Sequence, residues 1–353
     1  MAATTSSRPD QHHVGGGIRH ARRKRLGRGT VAWIVVLALV VVGGGAYGAY
    51  TLYKQSLADN IEVIGDPFAG LDEDSRPEPA PGGADTQAVN ILVLGCDSRV
   101  SGGDPSLCDG SRTDAILLVH LAADRESATV VSINRDSWVP IPGHGDAKIN
   151  AAYAFGGAPL MIQTVEQLTG VRLDHFAVTD FSSFTELTDA LGGVQLTLAD
   201  GNGGSYHQVM NGEEALAYVR ERKSLSNGDF GRVQRQQAWI RAIVAKANNN
   251  RRDPVKMTRF LEAVSNATAA DPSLDLARME QLFGEAREIS TNDITFLTSP
   301  HMPCCQTSAD GQSIVTVDRA RLDPLMQAIA NDTVDEYAAE HEGELDTLPA
   351  VVE

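Results

Sequence analysis

Three short apolar runs, Ile91–Leu94, Ala115–Leu121 and Ala128–Ile133, constrain this chain most: each is crowded with Val, Ile and Leu, and each is bounded by charge. Runs of this length and composition read as strands buried in one sheet. Asp97 and Arg99 follow the first, Arg112 and Asp114 lead into the second, and Arg135 and Asp136 follow the third. Side by side, the strands would gather arginines and carboxylates at one end of the sheet. An ordinary surface ion pair accounts for any single pair of this kind. Guanidiniums repeated at three strand ends, against a low-dielectric core, repel one another unless an anion sits between them.

Further along, helical and strand patterns alternate. After a turn-rich loop that carries Lys148, the 158–168 stretch has helical spacing and stops at Gly170, and 175–179 reads as a strand. Asp180 is placed to cap a helix carrying Phe181, Phe184, Leu187 and Leu191, and 194–198 is another strand. Amphipathic helices are expected over 254–269 and 274–290, strands over 293–297 and 314–317, and a last helix from Asp318 to about Ile329. Such alternation implies an α/β fold with a mixed central β-sheet flanked by helices.

A second charged centre lies in the segment 210–249. Asn211 with Glu214 is a helix-start signature, and that helix delivers Arg220 and Arg222 at its end. After a short loop a longer helix begins near Asp229, with Arg232, Arg235 and Gln236 on one face and Val233, Ile240, Ile243 and Val244 on another. A solvated face explains Arg241 and Lys246. Arginines bracketing a loop between a helix end and a helix start, where backbone N–H groups favour an anion, point instead to a site.

The ends of the chain set its compartment. The first 30 residues hold seven Lys and Arg and one acid, Asp10, and residues 31–50 carry no charge. Twenty such residues span a bilayer core, and positive residues stay on the cytoplasmic side. The expected order is a basic cytoplasmic tail (1–30), a transmembrane helix (31–53), a linker rich in Pro, Gly and acid (54–87) that either floats or docks on the domain through Ile61, Val63, Ile64 and Phe68, an extracytoplasmic catalytic domain (88–332) and a disordered acidic tail (333–353). A cleaved signal peptide is the competing reading of the apolar run. Beyond residue 30 there are 23 bases against 45 acids, a surface that does not bind nucleic acid by electrostatics. Cys96, Cys108, Cys304 and Cys305 allow three pairings; Cys96 with Cys108 would close the loop holding Asp97 and Arg99, and free thiols stay open. The histidines lack metal-ligand spacing.

Seven ordered motifs, ILVLGCDSR, SRTDAILLVH, VVSINRDSWVPIPG, KINAAYAFGG, DALGGVQ, MNGEEALAYVRER and GDFGRVQRQQ, resemble the LytR-CpsA-Psr family of bacterial cell-envelope ligases. The resemblance runs from about Val89 to Lys246 and, more thinly, to about Ile329. It implies transfer of a glycopolymer from a polyprenyl-diphosphate carrier onto peptidoglycan by an extracytoplasmic phosphotransferase. By resemblance, Asp97 and Asp114 would hold Mg²⁺ or Mn²⁺, and Asp97, Asp114 and Arg135 would form the catalytic set. Diphosphate binding would fall to Arg99, Arg112, Arg135, Arg220, Arg222 and Arg232, supported by Lys148, Asp229, Arg235 and Gln236. A lipid tunnel would put stripes such as Phe181/Phe184 and Ile240/Ile243 beside the sheet, although ordinary core suits them equally. Two departures stand out: Asn134 replaces the Pro usual before Arg135, giving that turn more backbone freedom, and the interval from Asp97 to Arg112 is long.

The chemistry agrees with those residue types. Forked guanidiniums match phosphate oxygens, and a hard cation takes one or two carboxylates together with the substrate's phosphates. Phosphoryl transfer is mostly positioning and charge neutralisation, so no Ser, Cys or His nucleophile is required. Asp229-Phe230-Gly231 spells a kinase motif, but no Gly-rich nucleotide loop precedes it. Two other functions fit the same residues: a lipid-diphosphate phosphatase using water, and a non-catalytic lipid- or polymer-binding envelope regulator.

Overall fold

Val, Ile and Leu crowd the short segments after residue 88, and in the computed structural model of the chain these pair into a main sheet and two smaller ones. The structure describes residues 51–82, 87–96, 113–180, 183–221, 225–303 and 306–353. Lys54–Glu353 forms one compact unit, separate from Met1–Tyr53. The expected membrane helix falls outside the described residues except for 51–53, and among the described residues no helix is long and apolar enough to cross a membrane.

In chain order the strands are β1 (Glu62–Val63), β2 (Val89–Cys96), β3 (Ala115–Leu121), β4 (Ala128–Ser132), β5 (Ser137–Ile141), β6 (Gly145–Lys148), β7 (His175–Asp180), β8 (Val194–Ala199), β9 (Ser205–Met210), β10 (Thr268–Ala270), β11 (Ile294–Thr298), β12 (Gln306–Thr307) and β13 (Ser313–Thr316). The helices are α1 (51–60), α2 (Ala151–Thr169), α3 (Ser183–Ala190), α4 (Gly212–Arg220), α5 (Asp229–Asn250), α6 (Pro254–Ala267), α7 (Leu276–Glu285), α8 (Arg319–Ala330) and α9 (Val334–Glu340).

The main sheet has seven strands in the order β1-β10-β7-β2-β3-β4-β11. β3 is antiparallel to both β2 and β4, whereas β7 and β11 lie parallel to β2 and β4. The exit of β2, the entry to β3 and the exit of β4 therefore share one end of the sheet. Alternation then decides the faces. Leu92, Leu94, Ile116, Leu118 and Val131 join Met161, Ile162 and Val165 of α2 and Leu322, Leu325 and Met326 of α8 in one core. A second core joins α4, α5 and the β8–β9 hairpin around Trp239, Ala242 and Ile243. Gln237, fully buried on α5, donates to Ser132 Oγ and Leu297 O at 2.8 Å each, tying the helix to the ends of β4 and β11.

Several expectations need correction. The segment 54–87 takes the docked alternative: Ile61 is buried, Ile64 and Phe68 pack against the first core while Val63 stays exposed, β1 pairs with β10, and Arg76 is held by Glu166. Its Pro and Gly content hid one buried ion pair. The acidic tail read as disordered forms α9 and then runs along the domain, where Val352 bridges Leu198 and Thr347 bridges Leu297. Backbone pairing, with Arg241 donating to Pro349 O, supplies what the tail lacks in apolar surface. The turn-rich loop after β4 contains the β5–β6 hairpin, whose Gly143 (φ 75°) and Gly145 (φ 72°) make its turn. The 158–168 helix begins earlier, at Ala151, with a kink at Gly156-Gly157, and Gly170 ends it in the left-handed conformation.

Candidate active site

Two separate parts of the chain bring charge to one place. Asp114 stands at the entry to β3, its N–H donating to Gly95 O at 2.9 Å, and Arg135 follows β4 at the same end of the sheet. The turn that aims Arg135 is held by Asn134, whose Oδ1 accepts from the Asp136 N–H at 2.9 Å while its backbone O accepts from Ser137 N at 3.0 Å. This side-chain turn supplies rigidity where the resemblance leads one to expect proline.

From the other side comes the start of α5. Gly228, at φ 56°, lets the chain reverse into the helix, and Asp229 and Arg232 then sit one turn apart on the side facing the sheet end. Arg135 Nη1 bonds Asp114 Oδ1, and its Nη2 lies 3.4 Å from Asp229 Oδ1. Arg232 Nη1 is 3.7 Å from the same Asp114 oxygen, and its Nη2 is 3.0 Å from Asp229 Oδ1. Two guanidiniums and two carboxylates thus form a closed square across elements nearly a hundred residues apart. Lys148 extends it through Asp136: its Nζ is 2.9 Å from Asp136 Oδ1, and Arg135 Nε is 3.9 Å from Asp136 Oδ2.

The square is largely desolvated, with the side chains of Arg232 and Arg135 only 7% and 17% exposed. Its hydrogen bonding is nonetheless incomplete. Arg135 Nε is buried without a hydrogen-bond partner among the described residues. Asp114 receives its described contacts on Oδ1 alone. A buried donor left over beside a carboxylate oxygen in reserve fits an anion with a bound hard cation, because Mg²⁺ or Mn²⁺ takes oxygen donors and a phosphate takes N–H groups. Among the described residues no group of three or more His, Cys, Asp or Glu could by itself cage a metal. Gln236, buried, lines the tight space between Asp114, Arg135, Asp229 and Arg232.

Not every expected residue joins. Arg235 is engaged elsewhere: it stacks over Tyr218 at 4.3 Å and donates to Tyr218 O at 3.2 Å and Glu353 O at 2.8 Å. Burial pushes the Tyr218 phenol up to about 12, against the opposing charge of Arg235. Arg220 closes α4, half-buried, behind the capping box in which Asn211 and Glu214 exchange bonds of 3.0 and 2.9 Å. Ile240 and Ile243 belong to the second core and not to a channel among the described residues. Asp97, Arg99, Arg112 and Arg222 lie outside the described residues, as do Phe181, Cys108, Cys304 and Cys305. Cys96 is disulfide-bonded to a partner that is also outside them.

The sequence reading missed what borders the square. An open cleft of about 660 Å³ meets it at Asp136 and Asp229, with Phe230 and His301 stacked in its wall at 4.2 Å between ring centroids. No spacing rule links Phe230 to His301, since a long-range fold contact alone brings them together.

Comparison with known proteins adds the following. The family model described as the LytR_cpsA_psr family matches residues 71–331. The polyisoprenyl-teichoic acid–peptidoglycan teichoic acid transferase TagU of Halalkalibacterium halodurans is 32% identical over 271 residues, 74% of this chain and 86% of that protein. TagU of Bacillus mycoides is 33% identical over 224 residues, 61% of this chain and 70% of that protein. The cell wall biosynthesis protein LcpA of Corynebacterium glutamicum is 27% identical over 339 residues, 82% of this chain and 63% of its own length. Among solved structures, Bacillus subtilis TagT superposes with a TM-score of 0.57 at 24% identity, covering 74% of this chain and 98% of TagT. The structure titled TagT bound to LIIa-WTA gives 0.60 at 24%, covering 77% and 99%. At that identity the likeness concerns the fold.

Proposed function

The chain belongs to the LytR-CpsA-Psr family, and from that premise we propose that it is a membrane-anchored phosphotransferase. In this reading it moves a glycopolymer from a polyprenyl-diphosphate carrier onto a peptidoglycan hydroxyl outside the cell. The single observation that supports it best is the convergence of Arg135 and Arg232, from the two halves of the domain, on one desolvated site. The names of the TagU relatives, and of TagT bound to a wall teichoic acid species, point the same way. The uncharged run 31–50 behind a basic head supports the anchor, with the N-terminus cytoplasmic.

In the reaction, Arg135 and Arg232 exchange their carboxylate partners for the oxygens of the diphosphate. The orphaned Arg135 Nε supplies one more donor. Asp114, with Asp97, would hold a divalent cation, which supplies neutralisation of charge on the diphosphate. The acceptor hydroxyl oxygen forms a bond to the sugar-linked phosphorus, the bridging P–O bond breaks, and polyprenyl phosphate leaves. The hydroxyl proton passes to a carboxylate, Asp114 or Asp97. Buried guanidiniums aimed where negative charge grows lower the barrier because they need no reorganisation. Lys148, through Asp136, fixes the Arg135 turn from behind.

A full-length preparation in detergent, given a lipid diphosphate with a labelled glycan, tests the reading. Label should pass to peptidoglycan fragments and be released little without them. Equal release with and without fragments would instead identify a phosphatase, and no release at all a binding protein.

A further inference from the structure

α5 is held unevenly along its length. From Gln237 onward, buried bonds fix it: Gln237 reaches Ser132 and Leu297, and Trp239 Nε1 donates to Thr188 Oγ1 at 3.0 Å. Its first turn carries Asp229 and Arg232 and begins at Gly228, a residue with no side chain to cap the helix and with φ 56°. The contacts of the square depend on the direction of this turn, so a firm hold on it has to come from elsewhere.

The tail supplies one. Val352, 2% exposed, is clamped to β8 from both sides: its N–H donates to Thr197 O at 3.2 Å, and its O accepts from Ala199 N at 3.0 Å. Glu353 is thereby delivered to the loop before α5. Its Oε2 accepts from Ser226 Oγ at 2.6 Å, and both carboxylate oxygens lie 3.2 Å from Ser226 N. These bonds hold the carboxyl below its ordinary value. Its backbone O accepts from Arg235 Nε at 2.8 Å, while Arg235 Nη1 donates to Tyr218 O, near the end of α4, at 3.2 Å. Ser226 stands two residues before Gly228, and Arg235 one turn after Arg232. One residue thus grips the chain on both sides of the turn that aims Asp229 and Arg232. The tail lies beyond residues 71–331, so this grip is not part of the matched family pattern.

We propose that Glu353 is a positioning residue for the arginine–carboxylate square: by holding Ser226 and Arg235 it fixes the start of α5, so that Asp229 and Arg232 meet Asp114 and Arg135. It acts through those residues. Ser226 and Glu353 are exposed, water competes for their bonds, and the effect falls on the aim of the turn more than on the stability of the fold. Its consequence for diphosphate binding rests on the transferase reading; its hold on α5 does not.

The test compares the full chain in detergent with Glu353→Ala, Glu353→Gln and Ser226→Ala, by hydrogen exchange read with mass spectrometry and by binding of farnesyl diphosphate. Glu353→Ala should speed exchange across 225–233 several-fold and leave 237–247 and the melting temperature unaltered. It should weaken farnesyl diphosphate binding about fivefold. Glu353→Gln, whose amide oxygen still accepts from Ser226, should restore most of both. Ser226→Ala keeps the N–H donor and should give a smaller loss. In an Arg232→Ala background, Glu353→Ala should weaken binding no further, because the side chain it aims is gone. Exchange and binding that Glu353→Ala leaves unaltered would overturn the proposal. So would an equal loss in the Arg232→Ala background, or tighter binding, which would make the tail a competitor for Arg235. If exchange responds as expected but even the unaltered chain binds no farnesyl diphosphate, Glu353 still positions α5 and the diphosphate reading fails.

Discussion

Two buried charge clusters in this fold look alike on a list of ion pairs and differ in their completeness. In the first, Arg76 meets Glu166 with Nε at 3.2 and 3.1 Å from its two oxygens and Nη2 at 2.7 Å, while Nη2 also donates to Leu173 O at 2.7 Å. Leu173 N then donates back to Glu166 Oε1 at 3.0 Å. Donors and acceptors are matched, and the pair clamps the 71–80 segment to α2. In the second, Arg135 and Arg232 divide the same carboxylate oxygens between them and leave Arg135 Nε with no hydrogen bond among the described residues, its nearest acceptor being Asp136 Oδ2 at 3.9 Å. A cluster that satisfies itself is a clamp, and one that does not is waiting for a ligand. Substitutions in the two should therefore fail in different ways.

The largest effect is expected in the clamp. Glu166→Ala strands a buried guanidinium and should destabilise the fold by about 3–5 kcal/mol in urea unfolding, while the remaining folded protein transfers glycan at the unaltered rate. A loss of activity per folded molecule would erase the distinction. Next comes Arg135→Ala, expected to lower transfer about 10²–10³-fold while destabilising the fold clearly less than Glu166→Ala does, because Arg232 still faces Asp114 and Asp229. Severe unfolding in this variant would make the square a second clamp.

A third test concerns Asp271, another saturated acid. Burial alone would raise its pKa, but bonds from His175, Ser273 and the Phe176 N–H outweigh that and hold it at about 2. Its folded value lies below the ordinary value of 3.8, so its contribution, about 2 kcal/mol, is present above pH 4 and is lost as pH falls from about 4 through 2. Asp271→Asn should flatten acid unfolding over that window, and an unchanged acid limb would contradict the assignment. The smallest effect belongs to Asn134→Ala, which removes the turn bond to Asp136 N and should cost about fivefold in transfer through a loosened Arg135.

How much could be read beforehand follows the same physical divide. β2, β3 and β4 were legible because their β-branched runs are short, apolar and bounded by charge, and their antiparallel order brought Asp114 and Arg135 together as the pattern suggested. The start of α5 and the capping box of α4 were legible because caps are local. What escaped depends on partners far away in sequence. Arg235 shares helical spacing with Arg232, but the tail and Tyr218 claim it. The β5–β6 hairpin hides behind Pro140 and paired glycines, and Phe230 reaches His301 only through the tertiary fold. The docked tail at the C-terminal end was misjudged because composition counts apolar residues but not backbone pairing, such as that of Val352 to Leu198.

The central claim is that Arg135 and Arg232 hold a single diphosphate. The most direct measurement is a double-mutant cycle on the full chain in detergent, using farnesyl diphosphate as probe and Arg135→Ala, Arg232→Ala and the double variant. Two arginines on one ligand should each weaken binding at least about tenfold, and the double variant should lose less than the sum of the two. Strictly additive losses, or binding that Arg232→Ala leaves untouched while Arg135→Ala abolishes it, would contradict the claim.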